Sequence, residues 1–239
     1  PTLLYGYGSY GISISPSFSV SRLSLIDRGM VYAIAHIRGG MEKGKKWYED
    51  GKKKNKLNSF KDFISCAEFL KKENISKNIT IHGGSAGGLL IGASINISPD
   101  TFHCAVAEVP FVDVLNTILD DTLPLTPPEW EEWGNPIKNK SDFDYIGSYS
   151  PYDNIKEQNY PTILATSGLT DPRVTYWEAT KWIAKLRSKK TNDNPIFLKT
   201  YTEAGHGGMA GRYNQIKETA FIYAFILWRN NLIKRSFSS

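Results

Sequence analysis

Residues 78–97 read NITIHGGSAGGLLIGASINI. The first five, built around Ile79, Thr80 and Ile81, form a strand. The last twelve, 86–97, are apolar, free of Pro and long enough for three helical turns. Between them Gly83-Gly84-Ser85-Ala86-Gly87 is a G-x-S-x-G match in the strand–turn–helix setting that a nucleophile elbow requires. The turn is sharp, and Gly83 and Gly87 stand where a Cβ would clash, while Gly84 and Gly88 add room. Ser85 then sits at a helix N-terminus, where free N–H groups and the helix dipole favour developing negative charge.

Working outward, short apolar runs alternate with helical stretches, and no repeat is present. Strands are expected at 2–7 (TLLYGY), 30–37 (MVYAIAHI), 78–82, 103–109 (HCAVAEV), 162–167 (TILATS) and 196–202 (IFLKTYT). Most are apolar on both faces, as buried parallel strands are. Helices are expected at 59–73, where Phe60, Phe63, Ile64, Ala67 and Leu70 make a 3.6-residue stripe, and at 86–97, 175–188 and 214–233. The alternation predicts an α/β fold, a mostly parallel sheet with helices on both faces. One connection, from Asp113 to Pro161, shows no sustained helical pattern and reads as a lid or pocket wall.

The chain has 239 residues, enough for one large domain over 1–239 and too few for two with linkers. Its 13% aromatic content excludes disorder. The longest apolar run, 220–228 (AFIYAFILW), is nine residues against the roughly 20 of a membrane span. Cys66 and Cys104 give neither a disulfide scaffold nor metal-ligand spacing, and they fit small core residues in a reducing, cytoplasmic setting. No metal or cofactor is implied. Pro1 opens the chain inside an apolar stretch, so the original N-terminus is expected to be missing.

The net charge of +5 hides an uneven distribution. Residues 78–137 hold no Lys or Arg but eight acids. Residues 43–56 hold seven lysines, read as a solvated loop and helix face. That run has few interleaved aromatics and no Arg, so nucleic-acid binding is not expected.

A serine nucleophile needs a base. His206, in the Ala204–Gly208 loop after the last strand, is favoured by chain position, while His36, His82 and His103 read as structural. The base needs a carboxylate, and Asp171 after the fifth strand supplies it, with Asp113 the competitor. Ser85, Asp171 and His206 stand in α/β-hydrolase order. Asp171 would hold the His206 tautomer that accepts the Ser85 proton. For the oxyanion, one donor is the Ala86 backbone N–H. The other would be a tyrosine hydroxyl from the loop YGYGSYG (5–11), which has no His-Gly-Gly-Gly.

With those residues placed, the chain resembles the catalytic domain of the prolyl oligopeptidase family, and within it the oligopeptidase B branch. The resemblance spans nearly the whole chain. It rests on YGYGSYG (5–11), HIRGG (36–40), WYEDGK (47–52), GGSAGGLL (83–90), VPFVDV (109–114), EWEEWGNP (129–136), GLTDPRVTYWEATKW (168–182) and GHGG (205–208). It implies an α/β-hydrolase fold with the N-terminal strands missing, and a serine endopeptidase that cleaves short basic peptides after Arg or Lys through an acyl-enzyme. It implies Tyr7 as the oxyanion tyrosine and Arg173 as the group that holds a substrate carbonyl. Glu129 becomes the carboxylate for the P1 guanidinium, with Phe111 as the aromatic wall beside it and Glu131 as a nearby second acid. The acid-rich segment around Ser85 agrees independently, since Arg pairs with carboxylate bidentately.

Two departures stand out. Where some members carry acids after YGSYG, this chain has Ser13-Ile14-Ser15-Pro16-Ser17, which weakens any dibasic preference. The resemblance also implies a gating β-propeller and an N-terminal region, which are expected to lie outside these 239 residues. Without the two outer strands, the strand from Met30 to Ile37 is expected to be an apolar edge and a route to homodimers. A carboxylesterase or aminopeptidase of the same fold shares the triad, and an esterase pocket would be apolar near Glu129. A catalytically inert fragment or binding module retaining the fold is the third reading.

Overall fold

The computed structural model describes residues 1–233. Six strands make one sheet: β1 (Thr2–Tyr5), β2 (Val31–Ile34), β3 (Ile79–Gly84), β4 (Cys104–Glu108), β5 (Thr162–Gly168) and β6 (Ile196–Tyr201). Their order is β2-β1-β3-β4-β5-β6 and every neighbouring pair is parallel. The chain steps outward from β1 to β2, then returns across β1 to β3. The loops after β1 and β3 therefore part company at the carboxyl edge, the crevice where open parallel sheets bind ligands.

Alternate strand residues enter two separate cores, as the two-residue pleat dictates. Leu4, Ile81, Ala105, Ala107, Ile163 and Ala165 face α3 (Leu57–Lys72), α4 (Ala86–Ile97) and α8 (Tyr176–Lys189). Leu3, Cys104, Val106 and Leu164 face α1 (Val20–Ile26) and α9 (Arg212–Arg229). Helices thus cover both faces, the expected α/β-hydrolase arrangement. Helix α4 is buried from Ala86 through Asn96, which is why its sequence is apolar all round. No helix among the described residues is long and apolar enough to cross a membrane.

The strands and long helices lie where expected, within a few residues at their ends. Two further short helices were not anticipated: α1, and α2 (Lys45–Glu49). The 113–161 excursion is also more helical than its pattern showed. It holds α5 (Val114–Leu119), α6 (Thr126–Trp133) and α7 (Lys140–Tyr149). Each is too short for a sustained 3.6-residue period. Pro127 and Pro128 also read as breakers, although at the start of α6 they cost nothing, because the first N–H groups of a helix have no internal acceptor.

Both sheet edges are open among the described residues. The edge strand β2 is shorter than the expected 30–37 run: Val31 is 42% exposed, whereas Met30, Ala35 and Ile37, beyond its two ends, are buried, so the apolar edge is confined to Val31–Ile34.

Candidate active site

Ser85 occupies the turn between β3 and α4 with φ 54° and ψ −119°, a left-handed conformation that costs a non-glycine residue about 1–3 kcal/mol. The surroundings hold it there. Its N–H donates to the Glu108 carbonyl at 2.8 Å, and its own carbonyl accepts from Gly88 at 2.8 Å and Phe111 at 3.1 Å. A Cβ on Gly83 would lie 2.5 Å from the Gly87 carbonyl oxygen, and one on Gly88 would lie 2.4 Å from Pro110. The glycines are thus required by close backbone approach. Gly84, whose Cβ would meet nothing nearer than 3.5 Å, is not.

Ser85 Oγ lies 3.1 Å from His206 Nε2, to which it donates, and His206 Nδ1 donates to Asp171 Oδ2 at 2.7 Å. The side chain of Asp171 is fully buried. Burial alone would raise its pKa, but the hydrogen bonds from His206 and from the Val174 and Arg173 N–H groups outweigh that and hold it below the ordinary carboxylate value. A charged Asp171 fixes Nδ1 as the protonated nitrogen and leaves Nε2 to accept the Ser85 proton. The two loops that carry these residues are joined directly. Thr170 donates to the Ala204 carbonyl from its N–H at 3.2 Å and its hydroxyl at 2.9 Å. Gly168 lets the loops touch, since a Cβ there would lie 2.5 Å from the Ala204 oxygen.

Ala86 begins α4, so its N–H has no acceptor within the helix and is free to face the Ser85 pocket. Tyr7 lines the same pocket. Burial, then the nearby Tyr5, Glu129 and Glu132, push the Tyr7 phenol up to about 12, so it stays protonated and able to donate.

The pocket has a volume of about 260 Å³ and runs from Ser85 and His206 to Phe111, Glu129 and Arg173. Phe111 is buried and packs on Trp133 with ring centroids 5.4 Å apart. Arg173 is exposed at the pocket margin. Glu129 is half-buried, and its Oε2 accepts from the Tyr10 hydroxyl at 2.7 Å and the Trp133 indole at 2.8 Å. Its Oε1 makes neither of these bonds.

Glu131 is the exception among the expected site residues. Its side chain is 87% exposed and pairs with Lys53 at 3.1 Å, outside the pocket. Residues two apart on a helix point in opposed directions, whereas Glu129 and Trp133, four apart, share a face. The acid that turns inward instead is Glu132, 4% exposed. It accepts from the Tyr10 N–H at 2.9 Å and the Tyr48 hydroxyl at 2.6 Å. Only the helical register of 126–133 distinguishes these three acids.

Two more residues escaped the sequence reading. Lys56 lies in the lysine run read as solvated, yet it is 1% exposed and bonds Gly8 O and Ser9 Oγ at 2.6 and 2.9 Å. Nothing in the run itself sets it apart. Glu178 is buried in α8 and accepts from the Val112 and Asp113 N–H groups, both at 2.9 Å, and from Thr117 Oγ1 at 2.7 Å. A lone carboxylate in the apolar stripe of Ala179, Trp182, Ile183 and Leu186 was its signal. Asp113, the competing acid, pairs with Lys181.

The other histidines serve structure. His36 donates to Ile14 O, His82 to Glu108 Oε1 and His103 to Arg229 O. Among the described residues no cluster of three or more His, Cys, Asp or Glu could hold a metal ion.

Comparison with known proteins bears on the fold and the family. Residues 16–231 match the family model described as "Prolyl oligopeptidase family". The chain is 50% identical over 229 residues to "Dipeptidyl aminopeptidase BI" of Pseudoxanthomonas mexicana and to "Protease 2" of Moraxella lacunata, covering 95% of this chain in each case. It covers 32% and 33% of those two proteins, so it spans about one third of their length. Among solved structures, oligopeptidase B from Leishmania major matches with TM-score 0.95 and 49% identity. Oligopeptidase B from Trypanosoma brucei, solved with covalently bound antipain, matches with TM-score 0.95 and 51% identity. Each match covers 98% of this chain and 33% of the other.

Proposed function

The chain belongs to the prolyl oligopeptidase family, and on that premise we propose that it is the catalytic portion of a serine peptidase that cleaves short peptides after Arg or Lys. The observation that carries the reading is the Ser85–His206–Asp171 relay, at 3.1 and 2.7 Å, opening into a pocket with Glu129 on its wall.

In this reading Ser85 Oγ attacks the scissile carbonyl carbon and its proton passes to His206 Nε2. Asp171 stabilises the resulting imidazolium. Negative charge developing on the carbonyl oxygen is met by the Ala86 N–H and the Tyr7 hydroxyl, each such donor contributing ~3–4 kcal/mol to the transition state. His206 returns the proton to the leaving amine, and water then releases the acyl group by the same route in reverse. Glu129, placed by Tyr10 and Trp133, offers Oε1 to the P1 cation while Phe111 covers its aliphatic stem. Arg173 holds a substrate carbonyl further along the chain. The rest of the intact protein, including the propeller that the family resemblance implies, governs access.

A second reading draws on the relative named dipeptidyl aminopeptidase: release of dipeptides from a free N-terminus. Chromogenic substrates ending in Arg, Lys, Pro or Ala, each N-blocked and N-free, separate the two. Cleavage of blocked Arg and Lys substrates, abolished by Ser85→Ala, is expected. Action on N-free substrates alone would favour the aminopeptidase, and preference for Pro or Ala would overturn the P1 assignment. Failure of a fluorophosphonate to label Ser85 in the folded, intact protein would favour an inert module.

A further inference from the structure

The turn Gly8-Ser9-Tyr10 sits between two buried charges. Gly8 and Tyr10 both have positive φ, 71° and 58°, so the turn needs to be held. On one side the Lys56 ammonium donates to the Gly8 carbonyl at 2.6 Å and to Ser9 Oγ at 2.9 Å. On the other, Glu132 Oε1 accepts from the Tyr10 N–H at 2.9 Å. No ion pair within 4 Å joins Lys56 to Glu132 among the described residues; each side chain reaches the turn directly, and Glu132 also accepts from the Tyr48 hydroxyl at 2.6 Å. Burial lowers the Lys56 ammonium to about 8 against the opposing pull of Glu132. Taking a polar or charged side chain out of water is costly even where it is hydrogen-bonded, so bulk stability does not explain the two residues.

Position does explain it. Tyr7 immediately precedes the turn and reaches the pocket beside Ser85. Tyr10 closes the turn and fixes Glu129 through its hydroxyl. Lys56 also lies over the ring of Trp133, 5.3 Å from its centroid, and Trp133 is the second anchor of Glu129. We infer that Lys56 and Glu132 are positioning residues that clasp the Gly8–Tyr10 turn from its two ends, and so set the oxyanion donor Tyr7 and the specificity carboxylate Glu129 as one unit. The inference rests on the peptidase reading for its kinetic consequences, though not for its structural one.

The test uses Lys56→Met, Glu132→Gln and their combination in the intact protein. Each single variant should lower kcat on a blocked Arg substrate by roughly 10- to 100-fold, less than the roughly 10²- to 10³-fold cost of deleting an oxyanion donor outright. KM for a blocked Ala substrate should stay within about threefold, while preference for Arg over Ala falls by about tenfold, since Glu129 moves with Tyr7. The double variant, with both buried charges removed, should recover its melting temperature but not its kcat. Full recovery of kcat in the double variant would overturn the clasp, because simple charge balance would then suffice. So would single variants that lose kcat but keep their P1 preference. Amide exchange separates this failure from failure of the peptidase reading. Residues 5–11 should exchange faster in Lys56→Met than in the parent whether or not any peptide is cleaved, and unchanged exchange there would refute the clasp on its own.

Discussion

Replacing Glu129 with Gln removes one charge and almost no volume. Glu129 Oε2 already accepts from two donors, the Tyr10 hydroxyl and the Trp133 indole. The Trp133 N–H can only donate, so the single oxygen of Gln is drawn to that side. Its NH₂ group then takes the place of Oε1 and faces the incoming cation. Two unit charges 4 Å apart interact by ~4 kcal/mol at an effective dielectric of 20. Glu129 is only half-buried, and solvent screening reduces this to about 2–3 kcal/mol, or a roughly 30- to 150-fold loss of kcat/KM for Arg substrates. Substrates with Ala at P1 never use the charge and should lose less than about threefold. The assay is steady-state hydrolysis of N-blocked Arg, Lys and Ala chromogenic substrates by parent and variant at one ionic strength. An equal loss on Arg and Ala substrates would show that Glu129 only supports the fold, and no loss on Arg would remove it from the specificity pocket.

Glu178 gives a pH signature. Burial, opposed by its hydrogen bonds from Asp113 and Thr117, pushes its pKa from 4.5 up to about 7. The native state therefore binds more protons than the unfolded chain between those values, and stability is lost as pH rises through that window. Glu178→Gln does not titrate, so denaturant melts should show the variant gaining about 3 kcal/mol relative to the parent from pH 4.5 to 7; parallel stability profiles would refute the assignment. Gly168→Ala should part the loops that carry Asp171 and His206, because its Cβ would press on the Ala204 and Gly205 carbonyls at 2.5 and 2.8 Å. A roughly tenfold or greater fall in kcat is expected with about 1–3 kcal/mol lost in melts, and unchanged kcat would show that the contact relaxes freely. The open β2 edge should make this chain, expressed alone, self-associate in sedimentation velocity; a clean monomer at high concentration would contradict that.

Legibility in the sequence followed the reach of each signal. The Ser85 elbow is local: five residues with a strand before and a helix after announce both fold and nucleophile. His206 and Asp171 were readable because crossover order fixes which loop follows which strand. The inner acids were not readable from local pattern: Glu129 was reached only through the family resemblance, and Glu132 was missed. Choosing among Glu129, Glu131 and Glu132 depends on the rotation of an eight-residue helix, which two prolines concealed. Lys56 was unreadable for another reason: burial of one lysine among seven is decided by Gly8 and Ser9, nearly fifty residues away, and leaves no trace in local pattern.

Among the described residues the sheet contains no hairpin, and each connection between successive strands is a crossover. Ser85 and His206 are separated by 121 positions along the chain, and their meeting requires β6 to have joined β5. Long-range parallel pairing is slow to form. During refolding, helical circular dichroism should therefore return before Ser85 becomes reactive towards a fluorophosphonate. Nucleophilicity at that one hydroxyl acts as a late clock, reporting the docking of the last strand.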